Sequence, residues 1–184
     1  MPQLTRQDWL RHGLSILAEQ GVDALRIGNL CTQLGVTKGS FYHHFSDHQA
    51  FLEALLEHWE TEQTLRFIEE SQEGETVQAQ LRILTDRVLT SFGGHEIHIR
   101  SWAHSDPLAH AFQTRVDEQR VSYLYQLYRQ LIDDDTQALA MAHLAYTTLI
   151  GSINMIPPLT AVQYEQITKL FEPLLRSLSQ KDEH

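Results

Sequence analysis

A single cysteine, Cys31, in 184 residues excludes an intrachain disulfide and makes a reducing compartment the simpler assumption. Basic side chains are scarce: 14 Lys and Arg against 24 Asp and Glu give a formal net charge of −10. That balance argues against a protein that coats nucleic acid indiscriminately, because such binding comes mostly from phosphate neutralisation. It leaves room for a site-specific reader whose positive groups are concentrated locally. No apolar run approaches the roughly 18 residues needed to span a membrane. The start, MPQLTRQDWLRHGL, mixes charged and apolar residues and does not resemble a secretory leader. These absences predict a soluble, cytoplasmic protein with no membrane partner. Period-two alternation and internal repeats are also missing, which leaves no signal for a sheet. Hydrophobic residues make up 42% of the chain, as in an ordinary globular protein of one or two domains.

What is present is helical periodicity, and its densest stretch is Ile27 to Phe45, IGNLCTQLGVTKGSFYHHF. Ile27, Leu30, Cys31 and Leu34 share one face of a short helix. Gly35 follows where a helix end favours the left-handed conformation, and Thr37 offers a side-chain oxygen to cap the next helix. In that second helix Phe41 and Phe45 lie one turn apart and face inward, so Gly39 and His43 point away, flanked by Ser40 and Tyr42. The pattern predicts a helix-turn-helix with Lys38 to His44 as its recognition helix. Between Arg26 and His48 the formal charges are Arg26, Lys38 and Asp47, and His43, His44 and His48 can add to the positive side.

The run GVTKGSFYHHFSDHQAFLEALL resembles the DNA-binding signature of the TetR family of transcriptional regulators. The likeness extends upstream through Ala18, Gly21 and Leu30 and covers roughly the first third of the chain. A looser likeness runs through IRSWAHSDPLAHAFQTRVDEQRVSYLYQL, where Arg100, Trp102, Ala103, Val116, Asp117 and Arg120 fall on recurring positions. The resemblance implies an all-α fold with an N-terminal three-helix DNA-binding domain over 1–47. A larger regulatory, ligand-binding and dimerisation domain would follow over 48–184, about nine helices in all. It further implies a homodimer on a double-stranded DNA operator, an unidentified small-molecule effector, and no cofactor. The implied operator contacts are Arg26, Thr37, Lys38, Gly39, Ser40, Tyr42, His43, His44 and His48. Chemically, Lys38 can reach phosphate or guanine, Ser40 and Thr37 can bond phosphate or base edges, and Tyr42 offers a phenol and a ring. Where the family usually has a phosphate-pinning lysine, this chain has His48, a weaker anion contact when neutral.

The rest of the chain reads as helices. The first, about Thr5 to Glu19, carries Trp9, Leu10, Gly13, Ile16 and Leu17 on one face. A longer one runs from His48 to Glu70, capped by Ser46 or Asp47, and the acidic run Glu69 to Glu75 reads as a solvated loop. Val77 to Phe92, Ile97 to His104, Leu108 to Ile132 and Thr136 to Met155 follow. Thr160 and Gln163 form a capping box for a last helix that Pro173 should kink or interrupt.

Two further residue sets are candidates. His98, Trp102, Phe112, Tyr123 and Tyr146, with Phe92 and Asn154, could line an effector pocket, the alternative being ordinary core. Leu144, Thr148, Gly151 and Met155 form a stripe for close approach of a second copy, the alternative being the protein's own core. His95-Glu96-Ile97-His98 superficially resembles a zinc motif, but its histidines are three apart where two histidines four apart are needed, so no metal ligand and no catalytic residue is assigned. An enzyme is thus disfavoured. A helical adaptor that binds protein remains the alternative to a DNA reader.

Overall fold

The computed structural model describes residues 4–91 and 94–179. Among the described residues there are eleven α-helices and no strand. They are α1 (Arg6–Gln20), α2 (Ile27–Leu34), α3 (Lys38–His44), α4 (His48–Glu60), α5 (Arg66–Ser71), α6 (Val77–Thr90), α7 (Gly94–Ala103), α8 (Pro107–Tyr128), α9 (Asp135–Asn154), α10 (Ala161–Thr168) and α11 (Phe171–Ser179). A π-helical turn over Thr61–Leu65 joins α4 to α5 without a loop. Counting that pair as one helix, and α10 with α11 as another, gives the expected nine. No helix among the described residues is long and apolar enough to cross a membrane.

The chain forms two compact units, Met1–Gln63 with Gly93–Arg115 and Thr64–Phe92 with Val116–His184. The unit holding the helix-turn-helix is therefore larger than the 1–47 segment. It also includes α4 and α7, both of which pack on α1. Trp9, Ile16, Leu17, Leu25, Leu30, Phe41, Phe51, Leu55, Leu56 and Ile99 are buried in it. The α1 face is the expected one, with Leu14 added. In the second unit Tyr128, Ile132, Ala138, Met141, Ala142 and Ala145 make a core against which Leu81, Phe171, Leu175 and Leu178 pack. Burial raises the Tyr164 phenol to a pKa of about 12.

Local signals explain most helix ends. Thr5 and Asp8 make a reciprocal capping box at α1, and Thr160 and Gln163 make one at α10. Asp47 caps α4 through Ala50 N–H, and Asp134 caps α9 through Gln137 N–H. Gly35 adopts φ 66°, ψ 32°, with Val36 N–H on the Cys31 carbonyl and Gly35 N–H on that of Thr32. That pair of bonds is a Schellman end, which a residue with a Cβ adopts only at a cost.

Three expectations are corrected, and the expected interruption of the last helix is located. Thr37 occupies the N-cap position of α3, but its hydroxyl makes no capping bond, and Ser40 N–H bonds the Thr37 carbonyl. The loop read over 69–75 is shorter: α5 continues to Ser71, which is fully buried, and Glu70 pairs with Arg87. The seventh helix begins at Gly94, three residues before Ile97, and Asp106 accepts from Ala109 N–H at the start of α8. The last helix breaks at Lys169-Leu170, leaving Pro173 in the first turn of α11, where its missing N–H is tolerated. Phe92 lies outside the described residues.

Gly13 sits where α1 crosses α4, and a Cβ there would stand 2.8 Å from Phe51 and 2.9 Å from Leu55. Overpacking of this kind costs about 1–3 kcal/mol. Gly13→Ala is therefore expected to lower the thermal midpoint followed by circular dichroism, while Gly28→Ala, which meets nothing within 4 Å, leaves it level or raises it.

Candidate nucleic-acid interface

Helix α3 is held from beneath by aromatic rings. Phe41 is fully buried and packs edge-on to Trp9 at 5.5 Å and to Phe51 at 5.6 Å, and it touches Phe45 at 5.3 Å. Phe45 meets Phe51 at 5.1 Å, and the Arg6 guanidinium lies over its ring at 5.3 Å. Truncating a buried phenylalanine typically costs about 3–5 kcal/mol, so the pose of α3 is stiffly set by two side chains of its own.

The opposite face is solvent-exposed. Thr37, Lys38, Gly39 and His43 are exposed and Ser40 is half-buried. Tyr42 is 55% exposed, with its ring edge-on to Phe41 at 5.5 Å. His44 is half-buried, 6.4 Å from the Phe45 ring, and stands edge-on to His43 at 5.0 Å. Gly39 is informative by what surrounds it. A Cβ there would meet Thr37 Oγ1 at an ordinary 3.6 Å, and its φ is not positive, so nothing inside the protein demands glycine. A bare backbone on an exposed recognition surface admits a groove wall closely.

Arg26 precedes α2 and is exposed. His48, the first residue of α4, is half-buried, and its Nε2 lies 2.7 Å from the Leu25 carbonyl oxygen while its ring stacks on Phe51 at 6.5 Å. The candidate contacts are thus contributed by α3, by the residue before it and by the segments on either side. Cys31 is buried, and desolvation pushes its thiol pKa up, which suits a core residue.

Residues 10–55 match the family model described as bacterial regulatory proteins, tetR family. That stretch is similar to the N-terminal segment of the tetR family. No curated protein sequence matches the chain. Solved structures agree in fold. A TetR-family transcriptional regulator from Streptomyces coelicolor superposes with TM-score 0.77 at 16% identity, covering 95% of this chain and 96% of that one. A protein from Saccharomonospora viridis in complex with choline gives 0.74 at 15%, covering 90% and 94%. The reduced form of NemR from E. coli gives 0.68 at 21%, covering 95% and 93%.

The five pocket candidates fall in both compact units. His98, Trp102 and Phe112 belong to the first, where the His98 Nδ1 lies 3.7 Å from the position of a Cβ on Gly21 and the Arg115 guanidinium covers Phe112 at 4.3 Å. Tyr123 and Tyr146 belong to the second, and both hydroxyls are engaged: Tyr123 with Ser71 at 2.6 Å, and Tyr146 donating to Asp117 at 2.6 Å. Asn154 is exposed and donates to the Ile150 carbonyl. Among the described residues no three His, Cys, Asp or Glu side chains are grouped so as to hold a metal ion.

Sequence reading passed over two polar constellations. In the first unit Arg115 grips the buried Glu60 through Nε and a second nitrogen, and hydrogen bonding to that carboxylate raises the Arg115 pKa further. In the second, Arg120 donates to the buried Thr64 at 3.0 Å and to Tyr146 at 3.4 Å. The available signal was Glu60 itself, which follows Leu52 and Leu56 at a spacing of four on the apolar face of α4. The proposed dimer stripe is placed outward: Leu144 and Met155 are 42% and 52% exposed and Gly151 is exposed, so the stripe is not core.

His95 of α7 is partly desolvated and shares its surroundings with His98 and His58, which together lower its pKa from 6.5 against a smaller opposing pull from Glu96. A base whose folded pKa lies below its unfolded value stays neutral when folded, so its contribution is fully present above about 6.5 and lost as the pH falls through the folded value. Thermal midpoints should therefore drop on acidification below about pH 6.5, and by less in His95→Gln.

Proposed function

We propose that this chain is a sequence-specific DNA-binding transcriptional regulator, acting as a repressor and not as an enzyme. It binds a palindromic operator as a homodimer and is released by a small-molecule effector held within residues 48–184. The observation that carries the reading is α3: an exposed polar face of Lys38, Gly39, Ser40, Tyr42 and His43 mounted on a buried Phe41–Phe45 underside. The packing has no use for these polar residues or for the glycine among them. A major groove presents donors, acceptors and close walls that this face can meet.

One seven-residue recognition helix reads only a few base pairs, so a two-fold dimer spacing two such helices by about 34–36 Å is needed for a usable site. The outward stripe of Leu144, Thr148, Gly151 and Met155 supports α9 as part of the dimer contact, joined by the exposed Val162 of α10 and Leu174 of α11. Release follows if an effector prefers a conformation with the wrong helix separation. The choline-bound Saccharomonospora viridis protein, of the same fold, supports the capacity of this architecture to hold a small molecule.

Selection of bound duplexes from a random pool at about 0.1–0.15 M salt is expected to return a palindrome, lost in the Tyr42→Ala/His43→Ala variant. Recovery of no motif would move the reading to a protein-binding adaptor. Leu144→Arg should shift the solution mass by light scattering from dimer to monomer and abolish binding to the full palindrome while leaving the helical content intact. A variant that remains dimeric would exclude the α9 stripe.

A further inference from the structure

We propose that operator binding is coupled to proton uptake, with His43, His44 and His48 supplying a titratable share of the positive charge, so that affinity rises as the pH falls from about 8 to about 6. This regulation rests on the DNA-binding reading above.

The first ground is how little permanent positive charge the surface holds. Over residues 22–50 the fixed cations are Arg26 and Lys38, set against Asp23 and Asp47. Affinity for a duplex comes largely from phosphate neutralisation, and the two fixed cations of this segment, balanced by its two carboxylates, are few for that purpose. The same segment carries three imidazoles, His43 exposed and His44 and His48 half-buried, and imidazole changes charge in the physiological range.

The second ground is the hydrogen bond at His48. The Leu25 carbonyl can only accept, so Nε2 carries the ring proton, and the neutral ring leaves Nδ1 bare. A bare nitrogen and a phosphate oxygen are both acceptors and form no hydrogen bond. Adding a proton turns Nδ1 into a charged donor, while the Leu25 bond and the Phe51 stack keep the ring in place. The ring is thus held ready for an anion that it can bind only when protonated. His43 and His44, with ring centroids 5.0 Å apart, meet a nearby phosphate with charge that likewise depends on pH.

The third ground is the absence of an internal counter-charge. The charged and titratable groups on the surrounding elements are Arg6, Asp8, Arg11, His12 and Glu19 from α1, Asp23 and Arg26 before α2, Lys38 of α3, and Asp47 and Glu53 around the start of α4. Asp8 is taken by Thr5 and Arg11, and Asp47 by Ala50 N–H. Among the described residues no carboxylate bonds or pairs with any of the three rings. A phosphate arriving at this surface is therefore the anion that holds the added protons, which makes proton uptake part of binding.

The test is fluorescence anisotropy of a selected operator duplex at about pH 6, 7 and 8, each over a salt series, with circular dichroism confirming the fold at each pH. Each proton taken up contributes up to about tenfold per pH unit, so affinity should rise at least about tenfold from the highest to the lowest pH. The slope of log affinity against log salt should steepen by about 0.9 for each added phosphate contact, a change that a merely structural role would not produce. His48→Gln, whose amide can still donate to Leu25, should weaken the pH response, and the His43→Gln/His44→Gln/His48→Gln variant should flatten it. Wild-type binding with one affinity and one salt slope at every pH would overturn the coupling and leave the DNA reading standing. So would an undiminished pH response in the triple variant. A failure to bind any selected duplex at every pH would overturn both.

Discussion

The contact on which the first unit depends is the burial of Phe41 among Trp9, Phe45 and Phe51. A helix of seven residues has too few internal hydrogen bonds to persist alone. Its shape comes instead from tertiary packing, and the rings that supply it come from α1, α3 itself and α4. That sharing explains why the compact unit extends past the helix-turn-helix: α4 provides Phe51, and α1, which provides Trp9, is itself packed by α7. The Schellman turn at Gly35 sets the angle between α2 and α3, and the aromatic contacts hold it.

The polar constellations show a different economy. Glu60 is buried as a charge and is stabilised by a two-point grip from Arg115, an arrangement unfavourable to break because a carboxylate in the core depends on its hydrogen-bonded partners. Thr64, four residues on and inside the π-helical turn, is met by Arg120 in the second unit. Both arginines come from α8, and both act at the end of α4 or in the turn that follows it. A π-turn places its residues out of step with an α-helical face, and a directional hydrogen bond is one way to hold such a turn in a single register.

Most of the fold was legible in the sequence because its signals are local. Gly35, Asp47, Asp134 and the Thr160–Gln163 pair each determine a helix boundary through their own backbone or side-chain chemistry, and the recognition helix was read with its bounds intact. Thr37 was misread for the same local reason: a threonine in a capping position normally caps, and here its hydroxyl does not, although its carbonyl accepts from Ser40 N–H. The π-turn was invisible because no residue type announces it, and α5 was cut short because an acidic run reads as solvent-facing even when its serine is buried. Partners distant in sequence were the hardest to read. Nothing in the periodicity of α4 says that Arg115, 55 residues away, will find Glu60, and nothing around Tyr123 points to Ser71.

The division of labour within α3 has an evolutionary consequence. Phe41 and Phe45 anchor the helix, while Lys38, Gly39, Tyr42 and His43 project from it without burial. Selection can therefore alter the exposed set one residue at a time with little penalty to the fold, since surface changes away from special contacts usually move stability by less than about 0.5 kcal/mol. A lineage with this arrangement can retarget which duplex it reads by drift across near-neutral intermediates. The aromatic underside, where any change disturbs four packed rings, is the part that such a lineage would keep.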